Sequence, residues 1–228
     1  VGAVVALAVG AICLRTSGMA FIMITLAFAQ MLFFLAVSLR EYGGDDGMQL
    51  QGRSRLGLLD LNDATVLYYL AYALVLAVLF GFWRLVNARF GMVLRGCRSN
   101  ERRMASMGFP TLRYKLSAYL ISALVCVLAG MLMANLTRFV APSYMAWTVS
   151  GELIVMTVLG GLGTLIGPIA GATALLLVEE ALSSLKLGVP WLDTILNQHW
   201  LALIGIFIVL VVLVLKQGIY GWLLAKKS

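Results

Sequence analysis

The sequence predicts an all-α membrane protein, a polytopic transmembrane helical bundle of about seven spans. Three observations lead there. Of 228 residues, 62% are hydrophobic and 12% charged, and the mean hydropathy is +0.98, far outside the range of chains that fold in water. The charged residues gather between apolar runs instead of spreading over a polar exterior. The apolar runs reach or approach the roughly 20 residues that a helix needs to cross a hydrocarbon layer.

In chain order the candidate spans are Val1 to Leu14, Ser17 to Leu39, Ala64 to Trp83, Leu116 to Ala134, Val149 to Ile166, Pro168 to Leu182, and Trp200 to Leu215. The first begins inside an apolar stretch with no initiator Met, no basic region and no cleavage site, which predicts that the natural N-terminus is missing. The sixth is short and reads as a broken or tilted element, tolerated at membrane depth only where neighbouring protein satisfies the backbone.

Charge bias orients the spans. Arg84, Arg89, Arg95, Arg98, Arg102, Arg103, Arg113 and Lys115 lie between the third and fourth spans against a single acid, Glu101, so this segment is expected in the cytoplasm. Four further crossings return the tail, with Lys216, Lys226 and Lys227, to the same side. Glu41, Asp45, Asp46, Asp60 and Asp63 fall in one opposite loop, and Glu179, Glu180 and Asp193 around another. Trp147, Trp191 and Trp200 also fall on that outer side, where indole rings favour the headgroup layer.

Several function classes are excluded. The net charge of +7 belongs to residues beside membrane-length runs, so it speaks of topology and not of nucleic acid. Cys13, Cys97 and Cys126 are widely spaced, and His199 is the one histidine, which indicates neither a disulfide framework nor a metal site. No nucleotide-binding or nucleophile motif is present. The chain is therefore expected to be no enzyme and to hold no cofactor, with energy supplied from elsewhere.

Between about residues 87 and 113 the basic segment reads as organised. Ser99-Asn100-Glu101-Arg102-Arg103-Met104-Ala105-Ser106-Met107-Gly108 offers an N-cap, helix formers and a glycine stop. Met104 and Met107 would form an apolar edge with Arg102 and Arg103 alongside, suited to a groove on a soluble partner. The competing reading is a helix lying on anionic lipid.

Gly163, Gly167 and Gly171 recur every four residues within a run that also holds Gly160, Gly161, Thr164 and Pro168. Such spacing would put bare backbone on one helix face for close contact, with Pro168 kinking or interrupting the helix. Packing alone explains such a pattern, which marks a tight centre without locating a path. Gln30, mid-span, and Glu152, near an outer end, are the polar residues at depth. For Gln30 the plain alternative to a path role is an interhelical hydrogen bond, and for Glu152 it is snorkelling to the interface. His199 beside Trp200 reads as a boundary residue. Gly43-Gly44-Asp45-Asp46-Gly47 reads as a turn in the outer loop and lacks the alternating oxygen ligands of a calcium site.

These segments together resemble the LivM-type permeases of branched-chain amino acid ABC importers over nearly the whole chain. Thr25-Leu26-Ala27-Phe28-Ala29-Gln30 with the Gly43 to Gly47 loop is similar to one family motif, with Gln30 where an acid is common. Asn100-Glu101 with Gly108, then Tyr114-Lys115-Leu116 and Ile121-Ser122-Ala123, is similar to the family's coupling segment, although Arg102-Arg103-Met104-Ala105 stands where small residues often follow the glutamate. Ser150-Gly151-Glu152-Leu153-Ile154 through Gly160-Gly161-Leu162-Gly163-Thr164 and Gly167-Pro168 resembles its most specific signature, and Gly218-Ile219-Tyr220-Gly221 its ending.

The resemblance implies one permease domain over residues 1–228 in a bacterial inner membrane, with further N-terminal helices. It also implies a second related permease subunit, two ABC ATPases that carry the ATP and Mg and dock the coupling segments, and a periplasmic binding protein delivering leucine, isoleucine or valine. Related permeases share these motifs, so urea or short amides stand as the alternative cargo. A secondary carrier or channel would call for buried ionisable residues or inverted repeats, of which there is little sign.

Overall fold

The computed structural model describes residues 2–50, 55–56, 59–60, 63–161 and 163–184, together with Gly205. Apart from Gly205, the expected seventh span lies outside the described residues, as do Trp191, Asp193, His199 and the basic tail. Eight α-helices are found among those described: α1 (Gly2–Cys13), α2 (Met19–Ser38), α3 (Ala64–Asn87), α4 (Arg89–Ser99), α5 (Glu101–Ser106), α6 (Thr111–Thr137), α7 (Trp147–Gly160) and α8 (Gly167–Ser184). By length and composition, α2, Thr65–Asn87 of α3, and α6 can each cross a membrane, whereas α1 and α7 are shorter apolar helices.

The sequence windows and the helices differ in instructive places. α6 begins at Thr111, ahead of the expected Leu116, and takes in Arg113 and Lys115. Its first turns are polar because a helix can leave the hydrocarbon before it ends, and long basic side chains carry their charge outward along an apolar stem. α3 likewise runs past Trp83 to Asn87. The fifth window, expected to continue to Ile166, stops at Gly160, and the cause lies in the glycine turn described below.

Apolar side chains face outward, as lipid solvation requires. Phe34, Tyr68, Phe80, Leu153 and Leu177 are all well exposed, and no buried polar or charged side chain occurs among the described residues. With lipid as solvent, helix association depends on close packing instead of hydrophobic burial.

Two compact units divide the chain, residues 1–147 and 148–228. In the first, α1 lies antiparallel along α6. A Cβ on Gly10 would stand 2.7 Å from the Tyr119 ring and one on Gly2 2.9 Å from Val127, so these glycines let the two backbones approach. Between the spans run two minimal strand pairs. β1 (Met48–Gln49) pairs antiparallel with β4 (Phe139–Val140), Met48 opposite Val140, and the Leu50 amide extends the ladder by donating to the Arg138 carbonyl at 2.9 Å. β2 (Arg55–Leu56) and β3 (Leu59–Asp60) form a hairpin of their own. In the second unit α7 and α8 pack as an antiparallel pair around buried Leu159 and Leu175, with Val155, Met156 and Ala174 against them.

Candidate functional site

The basic segment folds into two short helices seated at the junction of α3 and α6. α3 ends at Asn87, Ala88 is extended, and α4 starts at once. A Cβ on Gly91 would collide with the Val86 carbonyl and lie 2.7 Å from that of Leu85, so only glycine allows α4 to turn this sharply off the end of α3. The Arg95 guanidinium donates to the Val86 carbonyl at 3.1 Å, supplying a cationic donor to carbonyls that a helix end leaves without partners.

Asn100 then serves both helices. It closes α4 in an extended conformation and caps α5, its side-chain oxygen accepting from the Arg103 amide at 3.1 Å. At the other end, the Gly108 amide donates to the Ala105 carbonyl at 3.0 Å and the Phe109 amide to that of Met104 at 3.2 Å. With Gly108 at φ 85, this is the paired bonding of a Schellman motif, for which glycine is suited at the left-handed position.

α5 is held by its side chains as well. Met104 is buried against Val93 and Cys97, with Tyr114 of α6 packed on the cluster. Gly96 leaves room for it, since a Cβ there would lie 2.7 Å from the Met104 sulfur. Phe90 and Tyr114 pack ring against ring, centroids 5.6 Å apart, and Lys115 Nζ pairs with Glu101 Oε2 at 2.5 Å. The expected apolar edge of Met104 and Met107 is thereby corrected: Met104 points into the cluster, and Met107 alone is exposed, at 56%. A six-residue helix has no room for a separate apolar face toward a partner once one residue must anchor it. Arg102 and Arg103 are both exposed beside Met107.

Gly43, Gly44, Asp46 and Gly47 build a compact turn in the same unit. All three glycines have positive φ. A Cβ on Gly43 would strike the Gly47 carbonyl, and one on Gly47 would lie 2.6 Å from that of Val140, so the loop is drawn onto β4. Gly44 is buried, while Asp45 and Asp46 are exposed.

The third candidate cluster is the turn between α7 and α8. The expectation of one helix face bearing Gly163, Gly167 and Gly171 does not hold, because the three residues do not share a helix. Gly163 is in the turn at φ 90, and Gly167 opens α8 with Gly171 one turn further on. A Cβ on Gly160 would meet the Gly167 carbonyl, and one on Gly171 the Met156 carbonyl. Bare backbone does serve close contact, but between two antiparallel helices. Pro168 stands in the first turn of α8, where its missing amide costs nothing, and so starts a helix instead of kinking one. Thr164 ties the turn together: its hydroxyl donates to the Gly161 carbonyl at 2.9 Å and accepts from the Gly167 amide at 3.1 Å.

Gln30 sits half-buried in α2, and its amide has no hydrogen-bond partner among the described residues. Glu152 is exposed in the second turn of α7. Among the described residues no cluster of three or more His, Cys, Asp or Glu is placed to hold a metal ion. Sequence reasoning passed over Gly91 and Gly96, which with Tyr114 fix the seat of α5, and it placed Tyr114 only within the coupling-segment motif. Two glycines inside an arginine-rich helix were the available signal.

Residues 1–214 match the family model described as branched-chain amino acid transport system, permease component. The chain belongs to this family. Its relatives include the high-affinity branched-chain amino acid transport system permease protein LivM of Salmonella typhimurium, 29% identical over 161 residues, 70% of this chain and 35% of that protein. LivH of Escherichia coli is 27% identical over 134 residues, 59% of this chain and 40% of that one. The autoinducer 2 import system permease protein LsrC of Yersinia pseudotuberculosis is 29% identical over 146 residues, 61% of this chain and 40% of that one. The permease thus aligns with little more than a third of the length of the curated relatives it matches. No solved structure matches. Family membership and the apolar helices together make this a multi-pass, all-α membrane permease.

Proposed function

We propose that this permease is the membrane-spanning subunit of an ATP-driven importer for leucine, isoleucine and valine, and that it does no chemistry itself. The family match over residues 1–214 carries the reading. Similarity to both LivM and LivH supports a complex with a second, related permease subunit. Two ATPases bearing ATP and Mg, and a periplasmic binding protein that delivers cargo, complete the assembly. The Arg-rich segment and the C-terminus face the cytoplasm, where the excess of arginine favours them.

Within that assembly α5 is the element that receives motion from the ATPases. Transmitting a displacement needs a lever fixed at its base and open at its tip. α5 is capped at both ends, anchored through Met104, and exposes Arg102, Arg103 and Met107. Closure of the ATPases shifts the seat shared by α3, α4 and α6 and biases the bundle between outward-open and inward-open arrangements.

The test is reconstitution with the binding protein and ATPases. Labelled leucine should accumulate only with ATP, and vesicles lacking the binding protein should show little uptake. Leucine entry without ATP would remove the importer reading. Similarity to LsrC, at the same identity as to LivM, favours a second reading of the cargo alone. If the loaded system ignores leucine and moves another small polar solute, such as urea or a short amide, the transport class stands and the cargo changes.

A further inference from the structure

The α7–α8 pair has dimensions and chemistry that do not fit two complete membrane crossings. α7 has 14 residues, and from Trp147 to Gly160 it rises about 20 Å, short of the roughly 30 Å of hydrocarbon that a span must cover. α8 is longer, at 18 residues, but its apolar stretch ends at Glu179 and Glu180. Those carboxylates also stand about 20 Å along the helix from Gly167. The helices are antiparallel, with Gly160 against Gly167 and Met156 against Gly171. Trp147 at the start of one and the two glutamates near the end of the other are therefore level with each other and equally far from the turn.

The turn itself has none of the marks of a membrane surface. Residues 160–166 include no charged residue, and no Lys or Arg occurs between Arg138 and Lys186. The segment between α3 and α6, by contrast, carries five arginines. Several of the turn's polar groups bond within it and to the flanking helices. Thr164 bonds the Gly161 carbonyl and the Gly167 amide, the Gly161 amide donates back to Thr157 and Val158, and the amides of Ile169 and Ala170 both donate to Ile166. Irregular backbone survives at membrane depth when protein satisfies it in this way.

We propose that α7, the glycine turn and α8 form a re-entrant hairpin: both helices open on the same face of the membrane, and residues 160–167 lie in its interior. Such a pair removes two crossings from the chain, yet leaves the sidedness of everything after it unchanged, because two crossings also return to the starting face. Charge bias in the flanking loops cannot tell the two arrangements apart. The proposal does not depend on the cargo or on ATP, and its test requires no transport.

A nitroxide label on Ile166→Cys reads the depth directly, in a full-length variant whose three native cysteines are alanine, reconstituted in lipid vesicles. Ile166 is 49% exposed and has room for the label. The label at 166 should collide with oxygen more often than with a water-soluble nickel chelate, by a ratio at least tenfold above that of Ser99→Cys in the Arg-rich segment. Leu165→Cys gives a second reading if the first variant fails to insert. A ratio within tenfold of that at position 99 places the turn in water and overturns the proposal.

Discussion

The α4–α5 segment and the α7–α8 hairpin solve the same problem, holding two helices together in a chain with little buried core, by opposite means. At α4–α5 the contact is made by side chains: Met104 on Val93, Cys97 and Tyr114, ring on ring at Phe90, and an ion pair from Glu101 to Lys115. At α7–α8 the closest approach is made by backbone, with Gly160 and Gly171 lying where any side chain would strike a carbonyl, next to side-chain packing at Leu159 and Leu175. The surroundings proposed for the two segments, water beside α4–α5 and lipid around α7–α8, account for the difference. Beside water, burying a methionine is favourable and charged groups stay solvated, so a short helix can be anchored on one face and functional on the other. In lipid an apolar side chain gains little by leaving its surroundings, and close van der Waals approach of bare backbone provides the attraction.

The contrast is broken most severely at the hairpin. Gly171→Leu places a side chain into the Met156 carbonyl, and should cost about 3 kcal/mol or more through forced separation of the helices. The expected result is loss of monodisperse protein after extraction in detergent. Near-normal yield and melting temperature would mean that α7 and α8 are not in contact.

In the basic segment the effects should be smaller and divided between two neighbouring methionines. Met104→Ala empties part of the cluster and should destabilise by about 2–3 kcal/mol, seen as earlier tryptic cleavage at the arginines around it. Met107→Ala should stay within about 0.5 kcal/mol and affect only transport and ATPase docking. Equal losses from both would return Met104 to the surface. Gly108→Val forces a β-branched residue into the left-handed region and should cost about 1–2 kcal/mol, leaving the protein inserted but uptake reduced; Gly108→Asn should recover most of that loss.

The smallest effects belong to the caps and charges of α5. Asn100→Ala removes the cap and should cost about 1 kcal/mol. Glu101→Gln breaks a pair whose members are 46% and 30% exposed, and solvent screening limits its worth to under about 1 kcal/mol. Glu101→Lys should nevertheless depress ATPase docking, because it reverses charge at the proposed partner surface. Wild-type uptake with Glu101→Lys and Gly108→Val combined would remove α5 from the mechanism.

The sequence by itself determined the solvent, the helical class, the segments α2, α3 and α6, and the capped helix from Asn100 to Gly108. Each of these depends on local properties: the length of an apolar run, a residue able to accept an amide at a helix start, a glycine able to adopt positive φ at its end. Only the tertiary structure decided which way Met104 faces. A six-residue helix has too few turns for periodicity to separate inside from outside, and the answer depended on Val93, Cys97 and Tyr114 meeting there. The same holds for the glycine run. Four-residue spacing is compatible with one long helix or with two helices meeting at a turn, and the hydroxyl of Thr164 bonding both sides of the break settles it. Spacing records which residues are small; which backbone they approach is fixed only when the chain folds back on itself.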